Sequence, residues 1–400
     1  MAPPNTNRHA LVFGGSGVTG WAVVDQLLND DPASGGTGTW SRVTALTNRP
    51  LTLEASQWRP KTGQLQIVSG LNLLKGDQDS LEEAMKSKIP DIHTVTHVFY
   101  FAYKANTDFE QEKKDAVDML ARSITAVDKL SPVLKVVAFQ TGAKMYGFLL
   151  QQDHYLPVPL RESLPRLKSP YSDQLFYHAQ LDWLSAYSAR REGKEKAWTW
   201  FETRPDIIIG FAPNHSAYSL ATSLGIYFSL WREINGAGST VPFPGTMKSW
   251  KAKHNEAGSE AIAKQTIFLA LHPEAYVNGD AFNVASSPQY ETWEEKWPQL
   301  CQYFGLQSAP PRAMPRPIRA YINDNQARWQ EMEKKHGLRT DIAQSEVTMP
   351  GFEILHLSLA DFDRQYDLSK IQKVGCNVQY SIMDTWGCTF DRMRKARFIP

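Results

Sequence analysis

A glycine-rich segment near the start of the chain has the residue types and spacing of a phosphate-binding turn. Gly14, Gly17 and Gly20 follow an apolar run and precede apolar residues at helical spacing. Glycines let a pyrophosphate approach the backbone closely, and the N–H groups that open the next helix can bind its charge. We therefore expect a dinucleotide site at Gly14, Ser16, Gly17, Val18 and Gly20; the alternative is an ordinary glycine-rich turn.

The end of the second predicted strand indicates which dinucleotide binds. No Asp or Glu lies between Ser41 and Pro50, where an NAD site usually has an acid for the ribose 2′-hydroxyl. The guanidinium of Arg49 can instead bind a 2′-phosphate through two hydrogen bonds. The sequence favours NADP(H), with Asn48 and Arg49 as contacts, unless Arg49 is a solvated loop cation. Asp77 either faces the adenine or caps the next helix.

Tyrosine and lysine could supply the proton donor of a reductase. Many reductases carry Tyr and Lys one helical turn apart, because such residues share a face. Two such pairs occur, Tyr100/Lys104 and Tyr366/Lys370. The first lies at the end of a predicted strand, and the second lies far along the chain from the glycine turn. We interpret both pairs as chance occurrences.

Short segments distributed over the whole chain carry a family resemblance. They are Thr96–Tyr100, Phe139–Tyr146, Leu164–Leu167 with Phe176–Tyr177, Arg204–Pro213, Ala281–Val284 with Trp293, and the Ile399-Pro400 ending. In this order they resemble segments of the progesterone 5β-reductase/iridoid synthase-like enzymes, which are atypical extended short-chain dehydrogenases. The combination is specific, although each segment alone is not.

The resemblance implies that Lys144 and Tyr177 form the catalytic pair, supplied by separate elements that meet in space. A nearby ammonium strengthens the tyrosine hydroxyl as a donor. A preorganised donor stabilises the negative charge that builds on the oxygen of a reduced enone or ketone. Further cofactor contacts are expected at Thr141, Pro205 and Ile208.

The chain departs from the family pattern where the substrate would bind. Ala102-Tyr103-Lys104 replaces a Thr-Trp pair, His178 replaces a second tyrosine, and Ile354 falls where the family has a phenylalanine. These differences put the 5β-reductase and iridoid substrates in doubt. The predicted substrate pocket comprises Tyr103, His178, Phe211, Tyr218 and Ile354.

The elements that position these residues alternate between strands and helices. Predicted strands are His9–Phe13, Val43–Leu46, Leu65–Val68, Val95–Phe101, Val136–Phe139 and Trp198–Thr203; predicted helices are Val18–Leu28, 109–130, 172–189 and 215–232; a proline-rich linker is predicted at 308–317. The alternation predicts an α/β fold with a parallel sheet covered on both faces. Together with the family resemblance, this pattern predicts a Rossmann-type doubly wound sheet in residues 1–210. A smaller, mostly helical substrate lobe follows in 211–400, with some of its elements returning to the sheet.

Composition limits the remaining classes of function. The chain of 400 residues has 43 Lys and Arg against 42 Asp and Glu, a net charge of +1, which gives no bulk attraction to nucleic acid or anionic lipid. Its 3 widely spaced cysteines exclude a disulfide scaffold and suit a reducing compartment. The uncharged stretch Ile207–Trp231 contains Pro213, so we interpret it as a strand, a turn and a buried helix rather than a membrane span. We expect a cytoplasmic monomer or homodimer without a bound metal.

The expected function is NADPH-dependent reduction of an enone C=C or a carbonyl in a hydrophobic small molecule, such as a terpenoid, polyketide or alkaloid. One alternative is a non-redox cyclase, isomerase or pericyclic catalyst on the same scaffold. Another is a regulatory protein that senses NADP(H) without catalysis. A sensor needs no Tyr/Lys pair, whereas the resemblance indicates that this chain has one.

Overall fold

The strands and helices are those of an α/β protein. The computed structural model describes residues 7–29, 39–148, 157–191, 193, 197–216, 218–340, 342–343 and 352–400. The strands are β1 (Arg8–Phe13), β2 (Trp40–Thr47), β3 (Leu65–Ser69), β4 (His97–Tyr100), β5 (Val136–Gln140), β6 (Thr199–Pro205), β7 (Ile208–Ile209), β8 (Thr240–Pro242), β9 (Ala257–Gly258), β10 (Asp280–Val284) and β11 (Gln307–Ala309). The helices are α1 (Val18–Leu28), α2 (Leu53–Ser56), α3 (Gln78–Lys88), α4 (Phe109–Leu130), α5 (Phe176–Ala189), α6 (Leu220–Asn235), α7 (Met247–Lys251), α8 (Ser259–Leu271), α9 (Trp293–Tyr303), α10 (Ile318–Asp324), α11 (Gln326–His336), α12 (Phe352–Ile354), α13 (Ser369–Lys373) and α14 (Ile382–Lys395).

The central sheet has seven strands in the order β3-β2-β1-β4-β5-β6-β10, and every neighbouring pair is parallel. The chain winds outward from β1 to β3, then crosses to β4 and winds in the opposite direction. In such sheets, ligands bind outside the carboxyl ends of the strands at the point where the winding reverses. The predicted Rossmann-type doubly wound fold is confirmed, and its reversal lies between β1 and β4.

The strand sequences explain why this sheet is buried on both faces. In β1, residues Ala10–Phe13 are almost fully buried, and in β4 all four residues are buried. Parallel strands covered by helices on both sides have such continuous apolar runs. Two separate hydrophobic clusters cover the two faces of the sheet. The strand ends are consequently held in place from both sides.

The second half of the chain adds to the sheet as well as covering the cleft. Strand β10 pairs with β6, and α8 packs against α1. Helix α6 begins at Leu220 rather than at residue 215, because Ser219 caps it after a turn. The segment predicted as a proline-rich linker begins with β11, which pairs with β8. No helix in the described part of the chain is long and apolar enough to cross a membrane.

A buried ion pair joins the carboxyl end of β6 to the C-terminal region. Nε of Arg364 lies 2.8 Å from Oδ2 of Asp206, and the two side chains are only 3% and 2% exposed. Removal of one partner leaves the other charge buried without compensation. We expect Arg364→Ala to lower the free energy of unfolding by about 3–5 kcal/mol, measured by urea denaturation.

Arg328→Ala is the control for this prediction. Arg328 forms a 2.7 Å ion pair with Glu331, but both side chains are exposed. Exposed pairs contribute less than about 1 kcal/mol. Equal losses of stability in the two variants would contradict the structural role given to the buried pair.

Candidate active site

A large cleft opens at the carboxyl ends of the central strands. Its volume is about 910 Å³. One end is formed by the glycine turn after β1 and by the end of β2, and the other end is formed by aromatic side chains. The cleft therefore lies at the reversal point of the sheet, where the topology places a ligand.

The glycine turn between β1 and α1 forms a close backbone cradle. Gly14 has a φ of +78°, and a Cβ there would lie 2.7 Å from the carbonyl oxygen of Phe101. A Cβ on Gly20 would lie 2.2 Å from the carbonyl oxygen of Gly14. Gly17 precedes the first helical residue, Val18, without a side-chain cap. Helix N–H groups are thus left for an anionic ligand, which is the arrangement that binds a pyrophosphate.

A cationic residue follows the carboxyl end of β2. Asn48 and Arg49 are exposed and line the cleft. One amino group of Arg49, Nη2, donates to the carbonyl oxygen of His215 at 3.1 Å. Among the described lining residues, the only carboxylates are those of Glu112 and Asp206, and neither belongs to this strand end. The cleft thus has a guanidinium, and among the described lining residues no carboxylate, at this strand end.

Asp77 has a structural role. It is the N-cap of α3, and its Oδ1 accepts a hydrogen bond from the backbone N–H of Ser80 at 2.9 Å. The hydrogen bonds from Ser80 lower the pKa of this carboxyl. The capping interpretation is confirmed, and Asp77 is not among the residues that line the cleft.

Tyr177 and Lys144 enter the cleft from separate elements. Tyr177 is in the first turn of α5, and Lys144 is in a 3₁₀ turn that follows β5, Ala143–Tyr146. The Tyr177 hydroxyl lies 3.9 Å from the position that a Cβ on Gly142 would occupy. Both side chains line the same cleft as the glycine turn. Between described residues, neither the hydroxyl nor the Lys144 ammonium has a hydrogen-bond partner.

The electrostatic surroundings keep the Tyr177 hydroxyl protonated. Burial raises its pKa above the usual tyrosine value, and the charges of Glu112 and Glu202 raise it further. A raised pKa means that the neutral phenol persists through neutral pH. The cleft consequently contains a hydroxyl that can donate to a ligand oxygen, with an ammonium on the neighbouring element.

Thr141 positions the lysine segment through its own bonds. Its backbone N–H donates to the carbonyl oxygen of Thr203 at 2.9 Å. Its hydroxyl donates to the Glu202 carboxylate, which Arg204 also holds through two hydrogen bonds of 2.8 Å. Thr141 lines the cleft, but its hydroxyl proton is directed away from a ligand. The predicted contact of Thr141 with the cofactor would therefore use atoms other than the hydroxyl hydrogen.

The remaining predicted cofactor residues, Pro205 and Ile208, line the same cleft as the glycine turn. At the opposite end, the ring of Tyr103 stacks on Phe176 with centroids 5.5 Å apart. Tyr218 lies 5.9 Å from Tyr103, centroid to centroid. The predicted pocket residues Tyr103 and Tyr218 thus belong to one aromatic wall.

Three predicted pocket residues lie elsewhere. Phe211 is 1% exposed and packs in the core, with its ring 5.2 Å from Trp21. His178 is buried on α5 next to Tyr177 and does not line the cleft, because consecutive helical residues point in different directions. Ile354 ends α12, and the wall begins one residue later, at Leu355. None of these three side chains is among those that line the cleft.

The two Tyr/Lys pairs that share a helical spacing differ in position. Tyr100 and Lys104 line the cleft, but the Lys104 ammonium binds Oδ2 of Asp115 at 2.7 Å. Tyr366 and Lys370 do not line it. Tyr100 therefore lies at the cleft, but the ammonium four residues later is bound to Asp115.

Sequence reasoning missed Glu112. This glutamate is in the first turn of α4, lines the cleft and accepts a hydrogen bond from the Tyr103 hydroxyl at 2.5 Å. The sequence feature that could have identified Glu112 is its position on the face of α4 that continues with the buried residues Ala116, Met119 and Ser123. A carboxylate on a buried helical face is uncommon without a partner.

Comparison with known proteins places the chain among Rossmann-fold proteins. The model of the PRISE-like Rossmann-fold domain matches residues 10–400. The short chain dehydrogenase ausT of Aspergillus calidoustus is 32% identical over 403 residues, covering 99% of this chain and 95% of the relative. The (S)-8-oxocitronellyl enol synthase ISY1 of Nepeta cataria is 26% identical over 343 residues, covering 85% and 80%. The UDP-glucose 4-epimerase of Thermus thermophilus, solved with NAD, has a TM-score of 0.56 at 18% identity, covering 96% and 99%; it shows the fold alone.

Proposed function

The chain belongs to the PRISE-like Rossmann-fold family of short-chain dehydrogenases, and we propose that it is an NADPH-dependent reductase. Its substrate is the enone C=C or the carbonyl of a hydrophobic small molecule, of the kind found in secondary metabolism. One observation carries the proposal: the Tyr177 hydroxyl and the Lys144 ammonium line the same cleft as the glycine turn.

The residues of the cleft fit a nicotinamide dinucleotide. The backbone cradle at the glycine turn would hold the pyrophosphate, because side chains are excluded there and the helix N–H groups are uncapped. Arg49 would hold a 2′-phosphate, with Asn48 beside it. The residues assigned to this group are Gly14, Ser16, Gly17, Val18, Gly20, Asn48, Arg49, Thr141, Pro205 and Ile208.

The chemistry divides between the cofactor and two side chains. When bound, reduced nicotinamide supplies the hydride. Tyr177 donates its hydroxyl proton to the substrate oxygen, on which negative charge develops, and one such donor contributes roughly 3–4 kcal/mol to the lowering of the barrier. The Lys144 ammonium stabilises the charge that forms on the tyrosine oxygen and would also hold the ribose hydroxyls of the nicotinamide. The apolar wall at Phe176 and Tyr218 excludes water from this oxygen.

An absorbance assay at the NADPH band, run against enones, aldehydes and ketones, tests the proposal. We expect NADPH consumption matched by the amount of reduced product for at least one hydrophobic member of the panel. Conversion of a substrate with NADPH unchanged would indicate a cyclase, isomerase or pericyclic catalyst instead. NADPH binding without any conversion across the panel would indicate a sensor.

Arg49→Ala tests the choice of NADP(H) over NAD(H). Loss of a charged hydrogen-bonding partner should raise the dissociation constant for NADPH by about tenfold to hundredfold, with little change for NADH. Isothermal titration with both cofactors measures the two constants. Arg42→Ala is the control, because Arg42 lies at the amino end of the same strand and pairs with Asp91. Equal changes for NADPH and NADH in Arg49→Ala would contradict the 2′-phosphate assignment.

A further inference from the structure

The aromatic end of the cleft contains a buried carboxylate that faces the ligand space. Glu112 is 7% exposed and lines the cleft. Its Oε1 accepts the hydrogen bond from Tyr103. Buried carboxylates are usually paired with a cation, because an isolated charge is costly to remove from water. Among the described residues, the hydrogen-bond donor to the Glu112 carboxylate is the neutral Tyr103 hydroxyl.

No basic side chain of the described residues pairs with Glu112. The cation that lines the same end, Lys104, is bound to Asp115 at 2.7 Å. Gln111 also donates to Asp115, at 2.7 Å, so this neighbouring carboxylate is satisfied. The charge on Glu112 is therefore available to a ligand.

Aromatic surface surrounds this carboxylate and is itself uncovered. Tyr103 is 43% exposed and Phe109 is 57% exposed, although both line the cleft. Phe176 and Tyr218 complete the wall through their contacts with Tyr103. Aromatic faces attract cations, and the attraction grows when the cation is desolvated. An alkylammonium group can bind both to the carboxylate, through a charge-assisted hydrogen bond, and to the aromatic faces.

We propose that the substrate carries a protonated amine, which binds Glu112 and the ring faces of Tyr103, Phe109 and Tyr218. This inference rests on the proposed function, because it names the class of substrate for the same cleft. The Tyr177 ring contacts Phe176, which stacks on Tyr103, and Tyr103 donates to Glu112, so the two groups lie at the same end of the cleft. One molecule can thus place its reducible oxygen at Tyr177 and its ammonium at Glu112.

The test compares two probes that differ in a single atom position. They are 4-(dimethylaminomethyl)cinnamaldehyde, which is protonated at neutral pH, and its carbon isostere 4-isobutylcinnamaldehyde. Isothermal titration gives their dissociation constants for the protein alone and with NADP⁺, where no reduction takes place. We expect the amine to bind at least about tenfold more tightly than the isostere, as a charge-assisted hydrogen bond predicts.

Glu112→Gln should remove this preference by weakening the amine alone, leaving the isostere unchanged. Glu110→Gln is the matched control, because Glu110 is exposed on the same turn of α4. Tyr103→Phe provides a second test if Glu112→Gln does not fold, since it removes the competing donor and should preserve or increase the preference for the amine. Melting temperatures report on folding.

Equal affinity of the wild-type protein for the two probes would overturn the inference, as would a preference that survives Glu112→Gln. A preference for the amine that disappears in Glu112→Gln supports the inference even if NADPH is never consumed, in which case the reductase proposal alone fails. NADPH consumption without discrimination between the probes would support the reductase proposal and contradict the inference that the substrate carries a protonated amine.

Discussion

Tyr177→Phe is expected to lower kcat for a reducible substrate by roughly 10²–10³-fold, the usual cost of one oxyanion donor. The variant keeps the ring, which contacts Phe176 with centroids 4.5 Å apart, so the wall of the cleft is preserved. The affinity for NADPH should change little, because the hydroxyl is assigned to the substrate oxygen. Steady-state kinetics and a separate NADPH titration measure the two effects.

The comparison for this variant is Tyr100→Phe. The Tyr100 hydroxyl is buried without a hydrogen-bond partner among the described atoms, and Tyr100 forms with Lys104 the alternative pair of helical spacing. We expect a much smaller loss of kcat in Tyr100→Phe. A larger loss at Tyr100 than at Tyr177 would assign the proton donor to the alternative pair.

Lys144→Met is expected to lower kcat/KM by roughly 10²-fold or more, within the range found for a positioned acid–base group. The substitution keeps most of the aliphatic stem and removes the charge. Unlike Tyr177→Phe, it should also raise the dissociation constant for NADPH, because the ammonium is assigned to the ribose hydroxyls as well as to the tyrosine. The combined change in chemistry and cofactor binding distinguishes the two roles.

Lys104→Met is the matched lysine variant. Its ammonium lines the cleft but is bound to Asp115, so its loss should affect kcat/KM far less than the loss of Lys144. If Lys144→Met binds NADPH normally and retains full turnover, the assignment of the catalytic lysine is wrong.

The parts of the fold that sequence could predict are those with strong local patterns. Helix α1 and helix α4 have the predicted bounds, and the first five strands differ from prediction by a few residues at their ends. The glycine turn could be predicted because only glycine fits at positions 14 and 20, where a Cβ would collide with the carbonyl of Phe101 or Gly14. Such features depend on residues close together in the chain.

The parts that sequence could not predict depend on distant packing. Phe211 is an ordinary aromatic after a strand, and only its contacts with Trp21 and Phe398 place it in the core. His178 is excluded from the cleft by the rotation of α5, which the sequence does not reveal. Glu112 belongs to the site because the connection between β4 and α4 folds back and places Tyr103 beside it. Strand β10 pairs with β6, although a long segment that includes α6 and α8 separates the two strands along the chain.

The most direct test of the central claim uses NADPH deuterated at the nicotinamide carbon that donates the hydride. The protein is incubated with an accepted enone or carbonyl compound, and the product is analysed by mass spectrometry and NMR. We predict one deuterium per product molecule, bound to the carbon that was reduced, and loss of this product in Tyr177→Phe. A product that forms without deuterium, while NADPH remains unoxidised, would contradict this prediction.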